Sequence, residues 1–353
     1  MSSDTVVVIG AGPAGLEAAR GVAELGTNVV LVEKRDFLGG TPIAENYAAL
    51  TPNYESAEEA MGKMIDRVQS NSLVKVLTST TVTSCEGEAG DFHLAVTGPD
   101  GQNTIDAGAV IVATGFRHFD PGRETQMYGY YEHPDVVTLP DLEAMLKSGE
   151  VLRPSNGEVP QNICFVQCVG SRDRHIGNEY CSKVCCGIAS KEAIELRRHI
   201  PDSKVFIFYI DMRMYGYWES QIYWPAQEQY NVQYVKGIIT EVLKKGDKLL
   251  VRGEDTTMGR PMEVLMDMVV LSVGMEPSVG TREMAKVFGV KSNKYGFIES
   301  ANPPLDTVST SRSGIFACGS AMGPADLEDT VSSAGAAAMK SVAMLKARPS
   351  VTA

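Results

Sequence analysis

Cys168, Cys181, Cys185 and Cys186 fall within nineteen residues, spaced C-x12-C-x3-C-C. Four thiolates are the usual ligand set for a [4Fe–4S] cluster. Tetrahedral zinc takes the same set, and the C-x4-C spacing of Cys181 and Cys186 leaves a redox disulfide open. Small buried residues are the plain alternative, because cysteine is among the most buried types. Adjacent cysteines in mid-helix point about 100° apart, so Cys185 and Cys186 can share a cluster only from a turn just before a helix starts. The run Ala189 to Arg198 directly after them is helix-forming, and a helix N-terminus favours an anionic group. Arg172, Arg174 and Lys183 add positive charge nearby. Cys164 lies in an apolar run and reads as core, as do Cys85 and Cys318 as buried or incidental residues. His175 lies between two of the four cysteines, in a stretch that reads as a solvent-facing loop.

A second chemical signal opens the chain. Gly10-Ala11-Gly12-Pro13-Ala14-Gly15 follows the β-branched run Thr5–Ile9 and precedes a helix-forming segment. A further strand, Asn28–Val32, ends at Glu33, 23 positions after Gly10. Strand, G-x-G-x-x-G, helix, strand and acid in this order form a dinucleotide fingerprint. Gly10 permits the tight turn, Gly12 lets the backbone approach a pyrophosphate, and Gly15 lets helix and strand pack closely. The helix N-terminus offers N–H groups to the phosphates, and Glu33 can accept from a ribose.

The elements that position these groups read as an α/β protein. Ala109–Gly115 is a strand ending Ala113-Thr114-Gly115, and Ser313–Gly319 is another ending in glycine. Asn162–Gln167, Val205–Ile210 and Met268–Gly274 read as buried parallel strands, with a polar linker over Pro154–Pro160 before them. Where a second glycine fingerprint belongs, after Gln167, the chain has Cys168-Val169-Gly170-Ser171-Arg172-Asp173.

The fingerprint, the Ala-Thr-Gly strand and the late glycine strand together resemble the flavoproteins with two dinucleotide-binding domains, the thioredoxin reductase and glutathione reductase relatives. That resemblance implies two Rossmann-like domains of thioredoxin reductase type, the second inserted into the first. The expected divisions are residues 1–155 and 276–353 for an FAD-binding domain and 156–275 for the inserted region carrying the cysteines. It implies FAD at Gly10, Ala11, Gly12, Pro13, Ala14, Gly15, Glu33, Lys34 and Arg35. The expected site continues through Gly39, Gly40, Thr41, Val82, Ala113, Thr114, Gly115, Gly319, Ser320, Thr330 and Val331. Gly319-Ser320 departs from the family's usual Gly-Asp. Gly39-Gly40-Thr41 is followed by Pro42 with no cysteine, so the family's redox disulfide beside the flavin is missing. In these relatives the helix expected from Ser332, after Thr330 and Val331, faces the flavin pyrimidine.

Cys168–Asp173, Tyr180-Cys181-Ser182-Lys183-Val184-Cys185-Cys186, Tyr209–Arg213 and Met322-Gly323-Pro324 resemble the A subunits of the heterodisulfide reductases more closely still, over about Val6 to Ala338. So does Tyr128-Gly129-Tyr130-Tyr131 followed by Pro134–Val137. In that family the four cysteines hold a [4Fe–4S] cluster near the flavin. The chain lacks the family's ferredoxin-type cysteine runs and additional N-terminal region. It is similar to the short subunits of sulfur-oxidising bacteria or of quinone-interacting complexes. The implied function is electron relay between FAD and cluster in cytosolic sulfur oxidation, as a homodimer or with a related subunit, docked to heterodisulfide-reductase-like B and C subunits. The alternatives are the flavoprotein subunit of a quinone-interacting complex, an NAD(P)H-dependent disulfide reductase, and a flavin-free scaffold with a zinc site.

Composition limits the partners. With 353 residues, 44% hydrophobic and 22% charged, the chain reads as soluble and globular. Its 32 basic and 44 acidic residues give a net charge of −12, which disfavours nucleic acid and anionic membranes. No run of about 20 apolar residues predicts membrane insertion. The Met1-Ser2-Ser3-Asp4 start lacks the features of a secretory signal, and a cytoplasmic location is expected. Tyr215, Tyr217, Trp218, Tyr223 and Trp224 form an aromatic segment, either core or a docking surface.

Overall fold

The computed structural model describes residues 3–347. Two compact units divide them: residues 3–44, 58–117 and 276–347 form the first, and 45–57 with 118–275 the second.

The first unit is built on a five-stranded parallel sheet. In spatial order its strands are Ile315–Ala317, Ala109–Val112, Val6–Ile9, Val29–Val32 and Val74–Leu77. Val6–Ile9 and Ala109–Val112 are buried on both faces, which is why they read as continuous apolar runs rather than alternating ones. The fingerprint helix, Pro13–Glu24, starts with proline at its first position, where the missing N–H costs no helical bond. Its buried stripe is Leu16, Ala18, Ala19, Val22 and Ala23. Gly26, at φ 76°, follows its end in the left-handed conformation. A long helix, Leu327–Lys346, packs against it, through Ala334, Ala337, Ala338 and Val342 in one core. A three-stranded antiparallel sheet, Thr81–Glu88, Asp91–Gly98 and Gly101–Ala107, completes the unit.

The second unit carries a seven-stranded sheet. Val136–Thr138, Met268–Val273, Asn162–Val169, Lys204–Tyr209 and Gln233–Lys245 run parallel, in that order. Lys248–Asp255 and Arg260–Met266 continue it antiparallel. The helix Cys185–His199 covers one face, with Arg197, Arg198 and His199 in its last turn, where positive charge complements the helix dipole.

The boundary expected at residue 155 lies inside this unit. Val136–Thr138 pairs with Met268–Val273 as an edge strand of the second sheet, so the sheet recruits chain from before the Pro154–Pro160 linker. Arg153, almost fully buried, fixes that linker through its ion pair with Asp135 at 3.0 Å.

Candidate functional site

In the first unit the glycine turn is shaped by close approaches. Gly10 has φ 98°, and a Cβ there would lie 2.5 Å from the Ala113 carbonyl oxygen. A Cβ on Gly15 would lie 1.7 Å from the Gly10 oxygen. Gly40, at φ 64°, would place one 2.5 Å from Gly12 Cα. Gly12 differs: it is extended, with φ −77° and ψ −176°, and a Cβ there meets only Gly40 Cα, at an ordinary 3.6 Å. Nothing within the unit requires glycine at this position. The space is what a ligand passing over the helix N-terminus needs, so the cradle fits a dinucleotide.

Glu33 is buried and serves the turn itself. Its Oε2 accepts the Ala11 N–H at 2.7 Å, and its Oε1 accepts the Arg35 N–H at 2.8 Å. Lys34 is exposed, and Arg35 lies over the Phe37 ring. Ala11, Ala14, Gly15 and Ala113 are buried around the turn, and Gly12, Pro13, Thr114 and Gly115 are half-buried. The Gly39 N–H donates to the Ala11 oxygen at 2.8 Å, which brings Gly39, Gly40 and the short helix beginning at Thr41 up to the fingerprint. Gly319, at φ 61°, donates its N–H to Ser333 Oγ at 3.0 Å, a partner that sequence reasoning missed. Ser320 follows in a single helical turn.

Val82 is buried in the core with Val7, Ile9 and Val32. One expected bound needs correction. The late helix begins at Leu327, not near Ser332. Asp326 caps it by accepting the Asp329 N–H at 2.7 Å, and Thr330 and Val331 therefore lie within the helix.

In the second unit the cysteines gather at the end of the strand Asn162–Val169. Cys168 sits at φ 64°, and Arg172 and Lys183 at 57° and 65°. Three non-glycine residues in the left-handed region within one short segment are backbone strain of the kind found at functional sites. Cys185 and Cys186 are the first two residues of the helix and are buried. The Cys168, Cys185 and Cys186 thiols interact with one another. The Cys185 thiol, helped by the Arg172 and Arg213 guanidinium groups, lowers the Cys168 thiol to about 7. Cys185 likewise lowers Cys186, while the Cys168 and Cys186 thiols together with burial push Cys185 well up.

Cys181 does not join this trio. Its sulfur accepts the Lys183 N–H at 3.3 Å. Among the described residues no group of three or more His, Cys, Asp or Glu is arranged to hold a metal ion, so the expected four-cysteine set is only partly assembled. Arg174 points to solvent beside Glu179, at 3.9 Å; Arg213 supplies the charge expected of it. His175 is fully exposed. Cys164 and Cys318 are buried and Cys85 half-buried.

The loop between Cys168 and Cys181 is tied down by residues the sequence flagged only as cysteine neighbours. Asn178 Nδ2 donates to the Gly170 oxygen at 3.0 Å, and the Tyr180 hydroxyl donates to the Met275 oxygen at 2.8 Å. Ser182 Oγ accepts the Met275 N–H at 3.1 Å. Beside the cysteines, buried polar groups lack partners among the described residues: both amide atoms of Gln167 and the hydroxyls of Ser171 and Ser272. Buried donors are rarely left unmet. A sulfur-rich group held by the neighbouring thiols would accept from them, so the residues fit a cluster in chemistry. Of the aromatic segment, Trp218 packs in the core while Tyr217 is 81% exposed.

The chain is similar in sequence and fold to known proteins. Residues 4–163 match the pyridine nucleotide-disulphide oxidoreductase family. The crystal structure of T. acidophilum thioredoxin reductase superposes with a TM-score of 0.64, covering 97% of this chain and 99% of that one at 20% identity. Residues 4–163 therefore carry a domain of the pyridine nucleotide-disulphide oxidoreductase type, and the chain has the fold of the thioredoxin reductases. The A subunit of the H(2):CoB-CoM heterodisulfide,ferredoxin reductase of Methanothermobacter thermautotrophicus is 39% identical over 249 residues, 69% of this chain and 38% of that protein. The A subunit of the ferredoxin/F(420)H(2)-dependent CoB-CoM heterodisulfide reductase of Methanosarcina acetivorans is 30% identical over 427 residues, 98% of this chain and 53% of that protein. The chain belongs to the family of heterodisulfide reductase A subunits. It spans 38% and 53% of these two relatives.

Proposed function

We propose that the chain is an electron-transfer subunit that binds FAD in its first unit and one [4Fe–4S] cluster in its second. The observation that carries this is the gathering of Cys168, Cys185 and Cys186 at the C-terminal end of a central parallel strand and the start of the helix after it, among buried donors without partners. Ligands of open α/β sheets bind at such strand ends. Here cysteines stand where a second glycine fingerprint would be needed for NAD(P)H.

In this reading Gly10, Gly12 and Gly15 cradle the FAD pyrophosphate, and Gly319 with the late helix lies over the rest of the cofactor. Cys168, Cys181, Cys185 and Cys186 hold the cluster, with Cys181 moving from its turn to complete the set. FAD passes electrons in pairs or singly and the cluster singly, which makes the chain a relay between two-electron and one-electron chemistry. It acts as a homodimer or beside a related subunit, with heterodisulfide-reductase-like B and C subunits. Cytosolic sulfur oxidation is the proposed setting, on the likeness to the short subunits.

Anaerobic reconstitution tests the reading. The full chain should take up one FAD and four irons with four sulfides (the composition of the proposed cluster). Serine at any of the four cysteines should lower the iron and sulfide content and spare the flavin; serine at Cys85, Cys164 or Cys318 should not. Full cluster content in the Cys181→Ser protein rules out the fourth ligand. Rapid bleaching of the flavin by NADH without partners favours the disulfide reductase instead.

A further inference from the structure

Gln167 is 6% exposed, and neither its Oε1 nor its Nε2 has a partner among the described residues. It immediately precedes Cys168. Along Asn162–Val169, side chains alternate between faces. Ile163 and Phe165 pack in the same core as Cys185 and Cys186, whereas Cys164 and Val166 pack in another. Gln167 directly follows the last regular pair, so alternation from Phe165 still puts it on the face covered by the cysteine helix, and the irregularity after it returns Val169 to the other core. The neighbouring parallel strand repeats the pattern. Met268 and Val270 share the core of Cys185 and Cys186, and Val269 and Leu271 the other, so Ser272 falls on the same face. The two strands pair with Val166 opposite Leu271 and Val169 opposite Val273, so the register shifts by one residue and Gln167 and Cys168 together stand against Ser272 in a bulge. Ser272 is fully buried, and its hydroxyl too has no partner among the described residues.

An amide and a hydroxyl on adjacent strands, buried on one face and not bonded to each other, are costly to a folded protein. A stretch meant only for packing would carry apolar residues here, as Phe165 and Val270 do on the same face. Hydrogen bonds to the sulfurs of an iron–sulfur centre raise its reduction potential, because they stabilise the added negative charge.

We infer that Gln167 Nε2 and Ser272 Oγ donate hydrogen bonds to the sulfur atoms of the group held by the cysteines, as positioning residues that set its reduction potential. The inference rests on the cluster reading above. Two isosteric or near-isosteric changes, Gln167→Leu and Ser272→Ala, test it in the full chain. In the cluster-loaded protein each should shift the potential to more negative values in an anaerobic redox titration followed by electron paramagnetic resonance. The double variant should shift it further, with iron and sulfide content unchanged. In the cluster-free protein the same changes should raise the midpoint of thermal unfolding, since they remove unmet buried polar groups. The two readouts thus move in a pattern that a purely structural role would not give. Unchanged potentials at full iron content overturn the inference and leave the cluster reading standing. A wild-type chain that takes up no iron or sulfide under anaerobic reconstitution overturns both. If Gln167→Leu fails to fold, Gln167→Met and Ser272→Ala carry the same comparison.

Discussion

The main-chain N–H of Ala11 reaches across 22 residues of sequence to Oε2 of Glu33, at 2.7 Å. The other carboxylate oxygen of Glu33 accepts from Arg35. The acid at the end of the second strand therefore fastens the glycine turn to that strand before any ligand arrives. Its remaining lone pairs are what a ribose could use. Glu33→Ala leaves the buried Ala11 N–H and the part-buried Arg35 N–H without their acceptor, a buried one being worth about 1–3 kcal/mol. It should lower stability by about 2–4 kcal/mol in urea titrations of the flavin-free chain. A loss confined to the flavin-loaded chain would show that Glu33 acts on the ligand alone.

Gly12 and Gly15 separate fold from ligand. A Cβ on Gly15 runs into the Gly10 carbonyl, and one on Gly12 meets nothing closer than 3.6 Å. Gly15→Ala should destabilise the chain by several kcal/mol, on the order of an overpacked core site. Gly12→Ala should leave the unfolding midpoint nearly unchanged and sharply reduce copurifying FAD. Equal flavin occupancy in Gly12→Ala and wild type would remove the ligand argument for this glycine.

Much of this was legible because it is local. The fingerprint helix, its flanking strands and the acid follow from residue types at fixed offsets between Gly10 and Glu33. The cysteine helix was legible from the run Ala189 to Arg198, but it begins at Cys185, so the adjacent pair lies in its first turn and not in a turn before it. What escaped was set by distant partners. Val136–Thr138 is too short to declare its sheet, and its pairing with Met268–Val273 moved the boundary between units. Asp326 gives a cap signal only when its bond to the Asp329 N–H is seen, so the late helix began earlier than its small-residue run implied. Arg213, 45 positions beyond Cys168, reaches that thiol through tertiary structure alone.

His118 makes the second unit sensitive to acid. Burial lowers its imidazole from 6.5 to about 4, against the opposing pull of Asp141, and its Nε2 lies 2.7 Å from the Tyr47 hydroxyl. The folded value is below the unfolded one, so the unfolded chain takes the proton first. The contribution is intact above about 6.5 and is lost as pH falls towards 4, at about 1.4 kcal/mol per pH unit. His118→Gln cannot titrate there. The stability difference between wild type and His118→Gln should change across pH 6.5 to 4 and be constant above it. A difference that is flat over the whole range would contradict this.

The cysteine helix is anchored by a buried charge cluster. Lys191 is 1% exposed; its Nζ bonds with Glu143 Oε1, donates to the Ala49 oxygen at 3.0 Å and pairs with Glu195 at 3.1 Å. Glu143 in turn accepts the Ala48 N–H at 2.9 Å, so the same pair clamps residues 48 and 49 to the helix. Glu192, fully buried, has no hydrogen-bond partner for either carboxylate oxygen among the described residues. Burial first, and then the Glu143 charge, pushes its pKa well above 4.5. One cation thus serves several carboxyl groups. Lys191→Met removes it and leaves Glu143 buried without its counter-charge, which should cost about 3–5 kcal/mol. Adding Glu143→Gln should recover part of that loss. Glu192→Gln acts in the opposite direction. The folded chain holds the Glu192 proton after the unfolded chain has released it, so this residue's stabilising share falls as pH rises from about 4.5. Near neutral pH the Gln variant should therefore be at least as stable as wild type, and its advantage should shrink on acidification towards 4.5. Urea midpoints at pH 5 and 7 measure this directly; a Glu192→Gln protein less stable than wild type at pH 7 would mean that the carboxylate is charged and paired in the fold.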